Sequence, residues 1–381
     1  MAATDPLPEP DRLEGAPHPR ETVRIFGHAA AEAAILQAFV AGRLHHAWML
    51  TGPKGIGKAS LAWRIARFLL AAPTPSDGTD ADTPQGPVAI GSLDVAADHP
   101  VARRLLQLAE PRHFLLRRGP NDKETALSQV IVVDDLRKMK AFFALSAADG
   151  GRRTAIIDAV DDMNPASANA LLKLLEEPPA NVTLLLIAHR PSRLLPTIRS
   201  RCRELRLAPL SADDLALALA QAGGEVATDD KVALAELAAG SVGAAFRLTN
   251  LDGIRLYAAL IVLMATLPRL DRPRALQLAE LGAGKAAVET FDLILSLIDL
   301  FLARLARCGA TGLAPPEAAP GEATLLQRLA PNPTAGRAWA ELAQTLSARA
   351  RRGKAVNLDP AALLMDTLLR IDETAGALAQ R

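Results

Sequence analysis

Short, almost continuous apolar runs alternate with stretches of helical periodicity through the first half of the chain. The apolar runs lie at residues 47–51, 130–133, 154–157 and 182–188. Helical spacing of apolar positions occupies residues 29–41 and 60–71, and it follows the run at 130–133 through Phe143. Continuous apolar strands that alternate with helices are typical of a parallel sheet buried on both faces. The pattern therefore predicts an α/β domain.

The second half of the chain has a different pattern. Residues 209–250 form a small, Ala-rich helical segment, and helical periodicity continues from about residue 251 to the end. A Pro/Gly-rich stretch at 309–333 interrupts it. We therefore predict α/β plus all-α architecture. The predicted divisions are a flexible lead at 1–22, a parallel-sheet domain at 23–208 with a mobile Pro/Asp-rich insertion at about 73–112, a small helical domain at 209–250 and a C-terminal helical domain at 251–381.

Composition excludes several classes of protein. Aromatic residues are only 3% of the chain, which argues against a single-stranded nucleic-acid binder that relies on base stacking. The net charge of +1 gives no overall field towards DNA or a membrane. The longest apolar stretch, 256–267, is too short to span a bilayer. Two distant cysteines form neither a zinc set nor a disulfide framework. We expect a cytoplasmic protein with no membrane partner, no metal site and no zinc.

Residues 52–59, Gly-Pro-Lys-Gly-Ile-Gly-Lys-Ala, form a phosphate-binding loop with an unusual last residue. In this motif Gly52, Gly55 and Gly57 let backbone N–H groups surround phosphates, and Lys58 reaches the β and γ phosphates. The motif then has Ser or Thr, whose hydroxyl binds magnesium, and here the residue is Ala59. Ser60 is one helical step away, about 100° from the required direction. The loop predicts a nucleotide site without its metal ligand.

A second candidate feature is the apolar run that ends at Asp158. A carboxylate at a strand end is what P-loop NTPases use to position magnesium. Ala159 follows it, at the position where a hydrolysing enzyme of this kind usually has a glutamate that orients water. Asp158 on its own is equally consistent with a turn or helix-capping residue. Together with the loop upstream, it is predicted to belong to the same nucleotide site.

Two further motifs resemble one family. The run Asn-Ala-Leu-Leu-Lys-Leu-Leu-Glu-Glu-Pro-Pro at 169–179 and the Ser-Arg-Cys at 200–202 are similar to those of bacterial clamp-loader AAA+ subunits. The resemblance covers about residues 22–250. It implies an AAA+ P-loop domain, a helical lid domain and a C-terminal helical collar that joins subunits. It also implies partners: the γ/τ and δ subunits of DNA polymerase III, the sliding clamp and primer-template DNA.

The resemblance is to the subunit type with a degraded ATP site and not to the motor type. Motor subunits have an arginine at the position of Gly243, which would reach the γ-phosphate. The resemblance implies that Arg201 is an arginine finger that acts in trans on a neighbouring subunit's ATP, although an isolated Ser-Arg-Cys is more often a surface arginine. Such a finger is worth about 10³–10⁵ in rate. Four-cysteine zinc modules of the family are absent from 72–112.

The sequence is therefore consistent with three functions. The first is a structural clamp-loader subunit without autonomous ATPase activity, which requires no cofactor and binds ATP without hydrolysis or not at all. The second is an autonomous AAA+ motor subunit that uses Ser60 for magnesium. The third is a nucleotide-gated adaptor unrelated to replication. His189, at a strand end, is a candidate phosphate contact or an ordinary strand-terminal histidine. Arg137, Lys138 and Lys140 are candidate DNA contacts or a solvated helix face.

Overall fold

The computed structural model describes residues 9–13, 15–72, 91–121, 126–144, 151–225, 227, 230–284 and 287–380. The chain divides into two compact units. The first extends to Gly223 and also includes Ser241–Gly243, and the second comprises Gly224–Gly240 and Ala244 onwards. The predicted division into three domains and a lead is not tested by these units and stays a prediction.

The first unit is built on a five-stranded sheet in the order β2-β3-β4-β1-β5, in which every strand is parallel to its neighbours. The strands are β1 Ala47–Thr51, β2 His113–Arg117, β3 Arg153–Asp158, β4 Val182–Ala188 and β5 Arg203–Arg206. Both faces are covered, so β1 and β4 are buried along their whole length. Such burial explains why these strands have apolar residues at nearly every position.

Alternate side chains of the central strands enter two separate cores. Trp48 and Leu50 of β1 pack in one core with Leu61 and Ile65 of the helix after the phosphate loop. Met49 lies in the other core, with residues of the helices on the opposite face. The helices of this unit are α1 Ala29–Val40, α2 Lys58–Ala71, α3 Pro100–Leu106, α4 Val133–Ala144, α5 Pro165–Glu176, α6 Pro196–Arg199 and α7 Ala212–Gln221. Short 3₁₀ turns occupy Pro19–Glu21, Val160–Asp162 and Pro191–Arg193.

One predicted strand is wrong. Residues 130–133 make no strand, because Ile131 forms only an isolated bridge with Met163 and Val133 already begins α4. Ile131 is buried, whereas Val130 and Val132 are exposed. The apolar run is therefore a turn that anchors a single side chain. Strands β2 and β5 were not predicted from the sequence.

The described parts of the predicted lead and insertion make specific contacts, and their predicted flexibility stays a prediction. In the described part of the lead, residues 9–13 and 15–22, His18 is fully buried and Arg20 pairs with Glu9 at 2.8 Å. Of the predicted insertion at about 73–112, residues 73–90 lie outside the described residues. Beyond them α3 forms, and its Val101 side chain is buried in the core shared with β1 and α2.

The second unit is helical, as predicted. Its helices are α8 Lys231–Ala238, α9 Val242–Asn250 (from its third residue), α10 Gly253–Met264, α11 Arg272–Leu281, α12 Val288–Thr311, α13 Glu322–Leu329, α14 Pro333–Ala355 and α15 Pro360–Ala379. The stretch 309–333, predicted as an interruption, contains the end of α12 and all of α13. Among the described residues, no helix combines the length and apolar character needed to cross a membrane.

A buried charged cluster joins helices of the second unit. The Arg304 guanidinium of α12 donates to Glu322 of α13 at 2.6 and 3.1 Å and to Glu236 of α8 at 3.1 Å. The Tyr257 hydroxyl of α10 also donates to Glu322, at 2.5 Å. Because each buried charge has an opposite charge and further hydrogen bonds, the cluster can be held without the cost of an unpaired ion.

Candidate functional site

The phosphate loop lies between β1 and α2, in the strand–loop–helix context that the sequence predicted. Gly52, Gly55 and Gly57 have φ of 139°, 81° and 99°, a region that residues with a side chain rarely adopt. At Gly52 a Cβ atom would also lie 2.5 Å from the Leu207 carbonyl oxygen. The glycines are therefore required by the turn itself, whether or not it holds a phosphate.

Lys58 is buried at the first position of α2. Its Nζ donates to the carbonyl oxygens of Gly52 and Pro53, at 2.7 and 2.5 Å. Burial lowers the pKa of Lys58 to about 8, and the nearby carboxylates of Asp158 and Asp161 partly oppose that shift. The ammonium group thus ties the loop to its own helix.

The residues after Lys58 do not suit a magnesium ion. Ala59 packs against the apolar core, and its methyl group cannot bind a metal. The Ser60 hydroxyl lies 3.0 Å from the Thr22 hydroxyl, with which it shares a hydrogen bond. Ser60 is therefore directed towards the N-terminal segment, which speaks against its use as a replacement metal ligand.

Asp158 ends β3 and is paired in register with Ile187 of β4. Burial raises its pKa to about 7, and Asp11 of the N-terminal segment adds to the shift, while Lys58 opposes it. Ala159, which follows, is 3% exposed and lies in the apolar core. The methyl group of Ala159 cannot orient a water molecule as a carboxylate could. Ala59 and Ala159 therefore do not fit a magnesium–ATP hydrolysis site.

His189 lies just beyond β4, beside the same cluster. Its backbone N–H and that of Arg190 donate to the Asp161 carboxylate at 2.5 and 2.8 Å. Burial and, next, the charge of Lys58 lower the pKa of His189 to about 4, so the ring is neutral at pH 7. Asp161, which sequence reasoning did not single out, joins the ends of β3 and β4. Its only sequence signal is its place three residues after Asp158.

Residues 241–243 lie directly against the phosphate loop. The Gly243 N–H donates to the Gly55 carbonyl at 3.1 Å, and the Ser241 hydroxyl donates to the Lys54 carbonyl at 3.0 Å. A Cβ atom on Gly243 would be 3.2 Å from the Gly55 Cα. An arginine at this position would have to push the two backbones apart. Gly243 is thus a packing residue.

Arg201 lies between α6 and β5, and its contacts are with a different set of residues. Its Nη2 is 2.9 Å from Glu176 Oε1, and its Nη1 donates to the Thr197 carbonyl at 3.1 Å. The side chain is 36% exposed. The adjacent Cys202 is partly buried, and burial raises the pKa of its thiol to about 12, which makes it a poor nucleophile. Arg201 is therefore held on the surface and is not brought together with Lys58 and Asp158 by any described contact.

The parallel sheet, the phosphate loop after β1, Asp158 at the end of β3 and the following helical unit together define an AAA+ P-loop protein with an additional helical domain. Residues 27–211 match the family model described as DNA polymerase III, delta subunit.

Three curated relatives are named as subunits of DNA polymerase III. The DNA polymerase III subunit delta' of Pseudomonas aeruginosa is 39% identical over 157 residues, 41% of each chain. The delta' subunit of Escherichia coli is 31% identical over 219 residues, 57% of this chain and 58% of the relative. The gamma/tau subunit of Mycobacterium tuberculosis is 30% identical over 189 residues, 48% of this chain and 28% of the relative. The chain thus spans about half the length of the delta' relatives it matches.

Among solved structures, a DNA polymerase III gamma subunit-related protein of Thermotoga maritima aligns with 90% of this chain and 99% of its own. Its sequence is 16% identical and the TM-score is 0.40. This similarity is too low for a comparison of sites.

Proposed function

We propose that this chain is a delta prime-type subunit of a DNA polymerase III clamp loader. In this role it is a structural AAA+ subunit that helps to load the sliding clamp on primed DNA. It hydrolyses no ATP itself and requires no bound nucleotide or zinc. Its partners are γ/τ-type ATPase subunits, a δ subunit, the sliding clamp and, through the complex, primer-template DNA. The delta' names of two relatives and the family match over 27–211 support this proposal.

The observation that carries the proposal is the contrast between two parts of the first unit. Around the phosphate loop, Ala59 and Ala159 supply neither the metal ligand nor the carboxylate that hydrolysis needs, and Gly243 packs on Gly55. Arg201, in contrast, has a partly exposed guanidinium within an intact Ser-Arg-Cys. A planar, permanently charged, multidentate cation suits a transferring phosphoryl group. We propose that Arg201 acts as the arginine finger of a neighbouring ATPase subunit.

The test is Arg201→Ala in a complex reconstituted with γ/τ-type and δ subunits. At the one site that receives the arginine, we expect turnover to fall by about 10³-fold or more. The total rate of ATP hydrolysis with clamp and primed DNA should then fall by the fraction that this site contributes. The measurement is steady-state ATP hydrolysis per assembled complex, with assembly checked by size-exclusion chromatography.

Arg193→Ala is the control, because Arg193 is an exposed arginine in the same segment between β4 and β5. It should leave the rate unchanged. If Arg201→Ala also leaves the rate unchanged in a fully assembled complex, the trans-acting finger is refuted.

A further inference from the structure

Arg201 is retained against its own subunit by groups on two different helices. Glu176 Oε1 accepts from Nη2 at 2.9 Å, and the Thr197 carbonyl accepts from Nη1 at 3.1 Å, with the Ser200 hydroxyl 3.5 Å away. The contacts with Glu176 and Thr197 each engage one of the two terminal nitrogens of the guanidinium. In this conformation the group is turned back onto the first unit.

Both acceptors are held by rigid local structure. Glu176 is the last residue of α5, and the N–H of Glu177 closes the helix by donating to the Lys173 carbonyl at 3.1 Å. Pro178 and Pro179 prevent the helix from continuing, so the position of Glu176 is fixed by the chain. Thr197 lies in α6, which Pro196 begins. The two acceptors that restrain Arg201 therefore lie on helices and not on long loops.

A carboxylate and a phosphoryl group compete for the same N–H groups of a guanidinium, because both offer oxygen pairs in the geometry of its planar fork. Arg201 can offer the Nη2 N–H that Glu176 now accepts to a phosphoryl oxygen of another subunit only after it releases Glu176. We propose that Glu176 holds Arg201 in a retracted position and yields it when the neighbouring subunit presents its nucleotide. This proposal rests on the trans-acting role proposed above. Glu176 is a positioning residue and touches no reacting atom.

The size of the effect follows from exposure. The side chains of Arg201 and Glu176 are 36% and 48% exposed, and ion pairs at such exposure change an equilibrium by about 1.5- to 5-fold. A restraint of this size changes the ATPase rate only while both the retracted and the engaged position of Arg201 are populated. It should therefore act on the basal rate and vanish when clamp and primed DNA have driven the complex to full engagement.

The experiment compares Glu176→Gln with Glu177→Gln in the reconstituted complex. Both substitutions remove one negative charge from exposed neighbouring residues at the end of α5, and only Glu176 has a described ion pair with Arg201. We expect Glu176→Gln to raise the basal ATPase rate about 2- to 5-fold and to leave the fully stimulated rate unchanged. Glu177→Gln should change neither rate. The double variant Glu176→Gln/Arg201→Ala should behave as Arg201→Ala alone.

A second measurement is independent of the complex. In the isolated chain, the nitrogen-15 signals of the Arg201 guanidinium should shift and report faster side-chain motion in Glu176→Gln but not in Glu177→Gln. Equal spectra for the two variants would refute the restraint. A fall in the stimulated rate of Glu176→Gln would also overturn it, because Glu176 would then help to present the arginine. Unchanged ATPase rates of the complex with Arg201→Ala would refute the trans-acting finger instead. The nuclear magnetic resonance result would still decide whether Glu176 holds Arg201.

Discussion

Asp158 is surrounded by groups that oppose its ionisation more strongly than others favour it. Burial is the largest cause of its raised pKa of about 7, and Asp11 and Asp162 act in the same direction. Lys58 and Lys54 act in the opposite direction. The ordinary value is 3.8, so between about pH 4 and 7 the folded state keeps a proton that the unfolded state has lost. Because the folded state binds this extra proton, the free energy of unfolding falls as pH rises through this window.

We predict that Asp158→Asn stabilises the chain at pH 7.5 and has little effect at pH 4.5. The gain is bounded by the pKa shift at about 4 kcal/mol, and this shift already includes the opposing attraction of Lys58. The measurement is the free energy of unfolding from urea titrations at both pH values. Asp213→Asn is the control, because Asp213 is exposed in the first turn of α7. An equal effect of Asp158→Asn at the two pH values would contradict the argument.

At the scale of elements, helices α12 and α14 approach each other closely at two glycines. A Cβ atom on Gly336 would lie 2.9 Å from the Ala306 carbonyl oxygen and 3.0 Å from the Ala310 nitrogen. The corresponding atom on Gly309 would lie 2.7 Å from the Gly336 Cα. Because these neighbours are backbone atoms, they cannot move aside as a flexible side chain could. The crossing of the two helices therefore depends on the absence of side chains.

We predict that Gly336→Ala destabilises the second unit by up to about 2 kcal/mol. Overpacking in well-packed cores costs about 1–3 kcal/mol, and the gain of about 1 kcal/mol that alanine gives over glycine in a helix offsets part of this cost. Gly376→Ala in α15 is the matched control, because its nearest described neighbour would be Pro268 Cβ at 4.0 Å. It should stabilise the chain slightly. Thermal unfolding followed by circular dichroism measures both, and a stabilising Gly336→Ala would refute the tight crossing.

The strands that the sequence predicted correctly are those that lie inside the sheet and are largely buried. Strands β1, β3 and β4 lie inside the sheet, so their apolar runs are visible. Strands β2 and β5 lie at its two edges and have mixed sequences, His-Phe-Leu-Leu-Arg and Arg-Glu-Leu-Arg, which show no clear alternation. The run at 130–133 was misleading because only Ile131 is buried. Proline and glycine on either side hid helix α13.

At the candidate site, too, the sequence predicted some features and missed others. Gly52, Lys58, Asp158 and Arg201 could be named in advance because each belongs to a contiguous motif. The contacts that give them their present roles join distant parts of the chain: the Asp11 charge that acts on Asp158, and the pairing of Glu176 with Arg201. No local pattern encodes such contacts, because they depend on how strands and helices are brought together.

At the scale of the whole molecule, the chemistry of the proposed complex depends on which subunit supplies each part. In our proposal the neighbour supplies nucleotide, metal and attacking water, and this chain supplies one guanidinium. An autonomous motor, in contrast, needs Lys58 for its own phosphates. Substitutions at Lys58 and Arg201 should therefore have different effects in the assembled complex.

We predict that Lys58→Met destabilises the chain but leaves the ATPase rate of the assembled complex unchanged. The substitution keeps most of the aliphatic stem and removes the donor to the Gly52 and Pro53 carbonyls. Leaving such acceptors unpaired costs about 1–3 kcal/mol. We expect a lower melting temperature of the isolated chain and, well below that temperature, a normal stimulated rate. The single variant Arg201→Ala, measured in the same way, should show the reverse: a melting temperature close to that of the unsubstituted chain and a reduced ATPase rate. If Lys58→Met abolished ATP hydrolysis while the complex remained assembled, this chain would be a motor subunit, and the assignment of its chemistry to Arg201 alone would be wrong.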